Sequence, residues 1–399
     1  MYNAEIFSFR AFLRYKHFMA LSHLWHLATE VYRRMTNREL MYLKAKLLCY
    51  GVSADSVTKS YMTTINPYVL EKGFIHAAHF QIDEMIINTC IEEKFCLSSP
   101  FSIELREGVL ALMENGNFIC EINVLRLPDW CRKTVDIYCI GKYLRPHSSQ
   151  CISFWPYLQC DYYRQGKQCK FCSMGEYASN NALPAPVLPI SIAREMIQTA
   201  LQFNPNYELA LSGGTCCNPD SSVRYYAEIC EQAQICGANY ISVETAPPRD
   251  LCCIQQLRQH GATAIIMNME IADENLRRDI CPGKSFIPKE HYLHAYEKAV
   301  NAFGAGNVSC VLIAGLQKAE SIIHMAETLI EIGVIPTIIP FKPLDKCDLS
   351  DYPTTNPKEV ILIATEVERL LQRYGMVAKL QRGCTKCNGC SLETIAAQI

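Results

Sequence analysis

The chain has 399 residues, with 38 Lys and Arg against 40 Asp and Glu, which leaves a formal net charge of −2. This balance gives no general attraction for a nucleic-acid backbone, so we expect no nucleic-acid partner. Hydrophobic residues make up 49% of the chain and charged residues 20%, so it has enough apolar side chains for a large core and is not a disordered protein.

The 22 cysteines are unusually many for a chain of this length. The first 30 residues are interrupted by Glu5, Arg10, Arg14 and Lys16, which leaves no apolar segment typical of a secretory signal. No uncharged apolar run approaches the ~18 residues that span a bilayer, so we expect no membrane partner. We therefore expect a reduced, cytoplasmic protein in which most cysteines are buried small side chains.

The N-terminal part combines helical and β-strand patterns. Phe and Leu residues recur at near-helical spacing over residues 1 to about 50, which predicts helices there. Residues 101–141 are rich in β-formers, and two apolar runs flank Asn115-Gly116, the dipeptide typical of a hairpin turn. Residues 1–145 are therefore predicted to form an extension of helices and a β-hairpin.

Residues 146–375 alternate between strand-like and helix-like patterns. The predicted strands are 151–158, 209–211, 240–243, 264–269, 308–314 and 334–341, and the predicted helices are 191–203, 220–236, 249–260, 289–303, 319–332 and 357–374. Six β-α units in series predict an α/β fold with a parallel sheet, which right-handed crossovers would curl into a partial (βα)6 barrel of the TIM type. Ligands should then bind at the carboxyl ends of the strands.

A first cysteine cluster follows the first of these strands. Cys169 and Cys172 are separated by two residues, a spacing that can hold one metal ion or one cluster, and Cys160 lies nine positions upstream. No histidine or fourth cysteine lies in this loop, so three thiolates on a [4Fe-4S] cluster would leave one iron open. A zinc site and three unrelated thiols are the alternatives.

The cluster, the six β-α units and the Gly213-Gly214 turn after the second strand resemble the radical S-adenosylmethionine (SAM) superfamily. The first cysteine gap is longer than in most members, and Thr215 stands where the family usually has Glu. A more detailed resemblance is to a radical SAM subfamily encoded in nitrilase gene clusters, and covers roughly residues 100 to 395. It rests on the long first gap and on the segments 278–284, 313–316, 339–343 and 383–391.

The resemblance implies a [4Fe-4S] cluster held by Cys160, Cys169 and Cys172, with SAM bound beside it. The residues that it implies for SAM are Gly213, Gly214, Glu244, Glu270 and Lys284. Arg278 is an alternative to Lys284 as the partner of the SAM carboxylate. Without the resemblance, the two glutamates would be interpreted as solvated acids at strand ends, and the two basic residues as surface groups.

A second cysteine cluster lies in the C-terminal segment, residues 376–399. Cys384, Cys387 and Cys390 have the spacing of the first three ligands in a ferredoxin-type run, which favours a second iron–sulfur cluster over zinc or free redox thiols. The fourth cysteine of such a run is absent, and Cys347 is one candidate for the missing ligand. We expect an extra strand within residues 376–383 to carry this cluster to the carboxyl ends of the sheet.

These features predict a radical SAM enzyme that reductively cleaves SAM at the [4Fe-4S] cluster. The resulting 5′-deoxyadenosyl radical would act on a small-molecule substrate, with the second iron–sulfur cluster in an auxiliary role. The reductant would be an electron donor such as flavodoxin or ferredoxin. A SAM-dependent methyl or sulfur transferase is one alternative, and a non-enzymatic iron–sulfur electron-transfer protein is another.

Overall fold

The computed structural model describes residues 35–71, 78–148, 150–177, 183–216, 218–377, 382–387 and 389–392. The helices predicted before residue 35 lie outside this part of the chain. The described α-helices are α1 Asn37–Tyr50, α2 Ser56–Ile65, α3 Asp161–Arg164, α4 Ile190–Phe203, α5 Pro219–Ile235, α6 Cys252–Gln259, α7 Glu274–Ile280, α8 Lys289–Phe303, α9 Ala319–Ile332, α10 Pro357–Arg373 and α11 Gly383–Cys387.

The strands form one large sheet and three small ones. They are β1 Ser53–Ala54, β2 Ala78–Ile82, β3 Met85–Thr89, β4 Phe101–Arg106, β5 Val109–Glu114, β6 Asn117–Glu121, β7 Asn123–Val124, β8 Thr134–Val135, β9 Tyr138–Cys139, β10 Leu144–Pro146, β11 Cys151–Tyr157, β12 Glu208–Gly213, β13 Ile241–Glu244, β14 Ala264–Ile266, β15 Val308–Ala314 and β16 Ile335–Pro340. No helix in the described ranges combines the length and the apolar character needed to cross a bilayer.

The large sheet contains seven strands in the order β10-β11-β12-β13-β14-β15-β16. Strands β11 to β16 are parallel and β10 pairs antiparallel with β11, so the predicted series of six β-α units is confirmed. β10 and β16 are the two edges, and no pairing between them closes the sheet among the described residues. The structure is therefore mixed α/β, and a partial barrel stays an expectation.

Helix α9 illustrates why the sequence forms these units. Its buried side chains recur at helical spacing, from Ile322 through Met325 and Ala326 to Leu329 and Ile330, and this apolar stripe faces the sheet. The helix ends at Gly333, whose φ of 98° places it in the left-handed region that favours glycine. The chain then enters β16 within two residues, as a short α-to-β connection requires.

The sheet is buried on both faces, as parallel sheets usually are. In β15, Ser309, Val311 and Ile313 line an internal cavity, while the alternate residues Cys310 and Leu312 are buried in the core. Strand β11 alternates in the same way, with Cys151, Ser153 and Trp155 on the cavity wall, and residues of β12 and β16 complete that wall. One face of the sheet therefore forms the site, and the other carries the helices.

The N-terminal region packs against this sheet in one continuous core. The predicted hairpin is confirmed as β5 and β6, with Asn115 and Gly116 at positive φ angles of 50° and 79°. Helix α1 packs against α10, and β3 belongs to a small sheet of order β3-β2-β7. Strand β10 crosses the predicted boundary at residue 145 and belongs to the large sheet.

Candidate active site

A cavity of about 360 Å³ lies on the inner face of the large sheet. This volume is within the range of small-molecule sites, and the position at the carboxyl ends of parallel strands is where such sites occur. Cys160, Cys169 and Cys172 all line it. A hydrogen bond of 3.0 Å from the backbone nitrogen of Cys172 to the carbonyl of Cys169 closes the turn between the last two.

The loop that carries these cysteines is held on one side by the segment after α7. The backbone nitrogen of Gly283 donates a hydrogen bond of 2.9 Å to the carbonyl of Lys167, and that of Lys170 donates one of 2.8 Å to the carbonyl of Ile280. A Cβ at Gly283 would lie 2.3 Å from the ring of Tyr162, so only glycine permits this contact. The loop is therefore positioned by its neighbours.

Gly213 and Gly214, which the resemblance assigns to SAM, line the cavity, and contacts within the chain explain why glycine stands at both positions. A Cβ on Gly214 would lie 1.8 Å from the carbonyl oxygen of Gln159, and one on Gly213 would lie 2.3 Å from that of Tyr157. These carbonyls belong to the end of β11 and the residue before Cys160. The glycines thus let two chain segments meet and set the position of Cys160, whereas the sequence interpretation relied on close approach to a ligand.

Glu244 ends β13 and lines the cavity. Ser212 Oγ donates a hydrogen bond of 2.8 Å to its Oε2, and Asn268 Nδ2 donates one of 2.6 Å to its Oε1. Burial raises the pKa of this carboxyl above its ordinary value, although both hydrogen bonds act in the opposite direction. The side chain is therefore held in one orientation by neighbours on two other strands.

Glu270 lies just beyond β14, and its backbone has a φ of 60°, which is rare for a residue other than glycine. Its side chain is 7% exposed, and its Oε1 forms a salt bridge with Lys284. Its other oxygen, Oε2, has no hydrogen-bond partner among the described residues. Glu270 thus combines a left-handed backbone with a buried acceptor, two features that occur often at functional sites.

Lys284 lines the cavity, and its partner there is Glu270. Burial is the largest single effect and would lower the pKa of the Lys284 ammonium, but the groups around it, with the Glu270 carboxylate first among them, together raise this pKa well above its ordinary value. Arg278, the alternative to Lys284, is exposed and does not line the described cavity. Its neighbour Arg277 is buried instead, and donates a hydrogen bond of 3.0 Å from Nη2 to the carbonyl of Lys284.

The second cysteine cluster lies on a segment whose first described residues contact the amino ends of the strands. The backbone nitrogen of Gly383 donates a hydrogen bond of 2.6 Å to Glu208, the first residue of β12, and Gly383 packs on Tyr240, just before β13. Helix α11 therefore starts at the amino ends of the strands. The extra strand expected within residues 376–383 falls largely on residues outside the described ranges.

Cys387 and Cys390 nevertheless line the same cavity as the first cluster. They enter it on the side of β11 that carries Cys151 and Ser153. The side chain of Cys384 lies outside the described part. Within the described ranges, no three His, Cys, Asp or Glu side chains converge closely enough to hold a single metal ion.

Asn88, Cys90 and Lys342 are among the cavity residues that were not predicted from the sequence. Asn88 and Cys90 come from the small sheet of the N-terminal region, and no motif surrounds them. Lys342 lies in the segment 339–343 that supports the family resemblance, so its position carried a signal. Gln317 was also missed, although it is buried and hydrogen-bonded to Glu270.

One part of the chain is similar in sequence to a curated protein. A curated relative is bacteriochlorophyllide c C-7(1)-hydroxylase of Chlorobaculum limnaeum, which is 25% identical over 137 residues. That match covers 34% of this chain and 34% of the hydroxylase, so the chain spans about a third of the length of the curated relative it matches. No protein-family model matches the chain.

Solved structures with a similar arrangement include two enzymes. The [FeFe]-hydrogenase maturase HydG from Carboxydothermus hydrogenoformans is 18% identical with a TM-score of 0.44, over 60% of this chain and 54% of that chain. A radical SAM methyltransferase from Sphaerobacter thermophilus is 13% identical with a TM-score of 0.42, over 74% of this chain and 81% of that chain.

Proposed function

We propose that the protein is a radical SAM enzyme that acts on a small molecule bound inside the large sheet. The observation that carries this proposal is that Cys160, Cys169 and Cys172 line one cavity with two buried glutamates and a lysine. Three thiols suit a [4Fe-4S] cluster with one open iron. When bound, cluster and SAM supply the one-electron cleavage of a C–S bond that yields methionine and a 5′-deoxyadenosyl radical.

The three cysteines would hold the cluster as thiolates. Their loop is already bonded to its neighbours, so little chain entropy is lost when the cluster binds. The backbone nitrogen of Met174 donates to Cys172 Sγ at 3.5 Å, and a donor in this position stabilises negative charge on a ligand sulfur.

The acids and the lysine suit the charges of SAM, which carries an amine, a sulfonium and a carboxylate. Glu270 Oε2 is a buried acceptor with no partner in the described part, so it can accept a hydrogen bond from the amine or from a ribose hydroxyl. Lys284 donates to Glu270 and keeps further N–H groups for the SAM carboxylate. Glu244, fixed by Ser212 and Asn268, would position the ribose.

The apolar part of the cavity wall supports radical chemistry on the substrate. Val311, Ile313 and Ile339 line the cavity from the two strands at one side of the sheet. Such a wall excludes water and oxygen from the reacting centre. An external electron donor of the flavodoxin or ferredoxin class is part of this proposal.

The competing functions make different use of these residues. An iron–sulfur protein that only transfers electrons has no need of the paired Glu270 and Lys284 or of the fixed Glu244. A methyl or sulfur transferase would use the same cofactor residues, and differs in the product formed from the substrate.

Anaerobic reconstitution with iron, sulfide, SAM and dithionite tests the proposal. The wild-type protein should release 5′-deoxyadenosine, and the C160A/C169A/C172A variant should release none and lose about four irons per chain. A matched control is C49A/C230A/C253A, which removes three buried thiols outside the described cavity wall and should keep the activity. Release of 5′-deoxyadenosine by the first variant at the wild-type rate would contradict the proposal.

A further inference from the structure

The residue after β3 brings a further thiol to the cavity. Cys90 is 2% exposed and lines the cavity together with Cys387 and Cys390. The N-terminal region therefore contributes a buried thiol to the place where the second cysteine cluster lies.

Two hydrogen bonds join Asn88, two residues before Cys90, to the C-terminal segment. The backbone nitrogen of Asn88 donates one of 2.8 Å to the carbonyl of Gly389, and Asn88 Nδ2 donates one of 3.2 Å to Cys390 Sγ. Asn88 and Cys390 are 302 positions apart in the sequence. An amide donor to a cysteine sulfur is a common feature of iron–sulfur sites, where it adjusts the reduction potential.

We infer that Cys90 is the fourth ligand of the second iron–sulfur cluster, whose other three ligands the sequence predicts to be Cys384, Cys387 and Cys390. The inference rests on the proposed function in one respect, that the protein binds iron–sulfur clusters. The choice of Cys90 as a ligand is argued from its own position in the structure. The C-terminal run lacks the fourth cysteine of a ferredoxin-type motif, and Cys90 supplies it from the other end of the chain.

The charge around this site suits a buried cluster. Lys342 lines the cavity, and its Nζ donates a hydrogen bond of 3.1 Å to the carbonyl of Asn88, two residues before Cys90. A cluster with four thiolates carries net negative charge, and a nearby ammonium lowers the cost of burying it.

Two other thiols lie close to Cys90 but do not reach the cavity. Cys96 and Cys347 pack with Cys90 and Leu344 in a small apolar cluster. Neither Cys96 nor Cys347 belongs to the cavity wall among the described residues. The earlier suggestion of Cys347 as the fourth ligand is therefore replaced by Cys90.

With four protein ligands, the second cluster cannot bind a substrate at one of its irons. A closed cluster has no free iron for a substrate, so it carries electrons or stabilises the fold. The site also ties the small sheet of β3 to the C-terminal segment, which gives the N-terminal region a part in the active centre.

The test uses the full chain with the first site removed. In the C160A/C169A/C172A background, about four irons per chain should remain after anaerobic reconstitution. Adding Cys90→Ser should lower the retained iron at least two-fold, or give a three-iron cluster visible by electron paramagnetic resonance after mild oxidation. Adding Cys347→Ser to the same background is the matched control and should change neither signal.

Three results would overturn the inference. One is a Cys90→Ser variant with the iron content and spectrum of its parent and of the Cys347→Ser control. The second is a C160A/C169A/C172A protein that holds no iron after reconstitution, and the third is the same protein holding zinc. None of these results touches SAM cleavage by the wild-type protein, so failure of this inference and failure of the proposed function are distinguishable. Far-ultraviolet circular dichroism of each variant separates lost ligation from lost folding.

Discussion

The side-chain amide of Gln317 donates a hydrogen bond of 2.9 Å to the backbone carbonyl of Glu270. The same nitrogen donates to the carbonyl of Ile313, and Gln317 Oε1 accepts from the backbone nitrogen of Ala272 at 2.7 Å. These bonds surround a residue whose backbone lies in the left-handed region. A strained conformation persists only where its surroundings determine it, so Gln317 is a positioning residue for Glu270.

Replacing this residue tests that role. Gln317→Leu keeps most of the volume but removes one hydrogen bond from each of three buried backbone groups, of which the Glu270 carbonyl keeps another from the Ile313 nitrogen. The free energy of unfolding should therefore fall by about 3 kcal/mol. Urea unfolding measures the change. Gln198→Leu, at an exposed position of α4, is the control and should change stability by no more than about 0.5 kcal/mol. Equal losses of stability for Gln317→Leu and Gln198→Leu would show that Gln317 does not position Glu270.

A second prediction concerns the contact between Gly214 and the cysteine loop. A methyl group at Gly214 would overlap the carbonyl of Gln159, so Gly214→Ala should displace Cys160 and lower the iron retained by the first site at least two-fold. The iron content of the reconstituted protein measures this. Gln165→Ala is the control, because Gln165 is exposed in the same loop and the substitution adds no atom to a close contact. Full iron retention by Gly214→Ala would show that the loop position does not depend on this contact.

Local sequence patterns predict where some strands and helices begin and end, but not which of two neighbouring side chains is buried. The bounds of β15 and α9 were predicted from the sequence alone, since a buried parallel strand is an apolar run and a helix on a sheet has an apolar stripe. Arg277 and Arg278 could not be separated in this way. They lie side by side on the seven-residue helix α7, and only its rotation in the fold decides which of them is buried.

The placement of the second cysteine cluster depends on contacts that local patterns do not contain. An extra strand was expected to bring it to the carboxyl ends of the sheet. Gly383, at the start of α11, is bonded to Glu208 at the amino ends. Cys390 instead accepts a hydrogen bond from Asn88, whose carbonyl is bonded to Lys342 just after the carboxyl end of β16. The bond between Asn88 and Cys390 joins residues from opposite ends of the chain. No periodicity or spacing rule links such pairs, which is why Cys90 had no functional interpretation before the fold was known.

The pKa of Glu244 leads to a prediction about stability and pH. Burial raises this pKa above 4.5 in the folded state, whereas the unfolded chain keeps the ordinary value. As the pH rises through the interval between the two values, the folded state binds more protons than the unfolded state, so this group makes stability fall with rising pH. Glu244→Gln should therefore gain stability relative to the wild-type protein between pH 4 and pH 7.

Urea unfolding of the cluster-free protein at a series of pH values measures this difference. Glu195→Gln is the control, because Glu195 is exposed on α4, and its stability difference from the wild-type protein should stay nearly constant with pH. A stability difference for Glu244→Gln that does not change between pH 4 and pH 7 would show that burial does not dominate the ionisation of this carboxyl.

The last prediction separates the two cysteine clusters by function. The ligands proposed for the first cluster come from the loop after β11, while helix α11 of the second begins at the amino ends of the strands. The loop is held by Gly283 and Ile280, which do not depend on the C-terminal segment. C384A/C387A/C390A should therefore lower the iron content from about eight to about four per chain, yet still release 5′-deoxyadenosine from SAM with dithionite. Loss of all iron and all cleavage in this variant would mean that the two sets of cysteines form one site. Retention of about eight irons would mean that the C-terminal cysteines hold none.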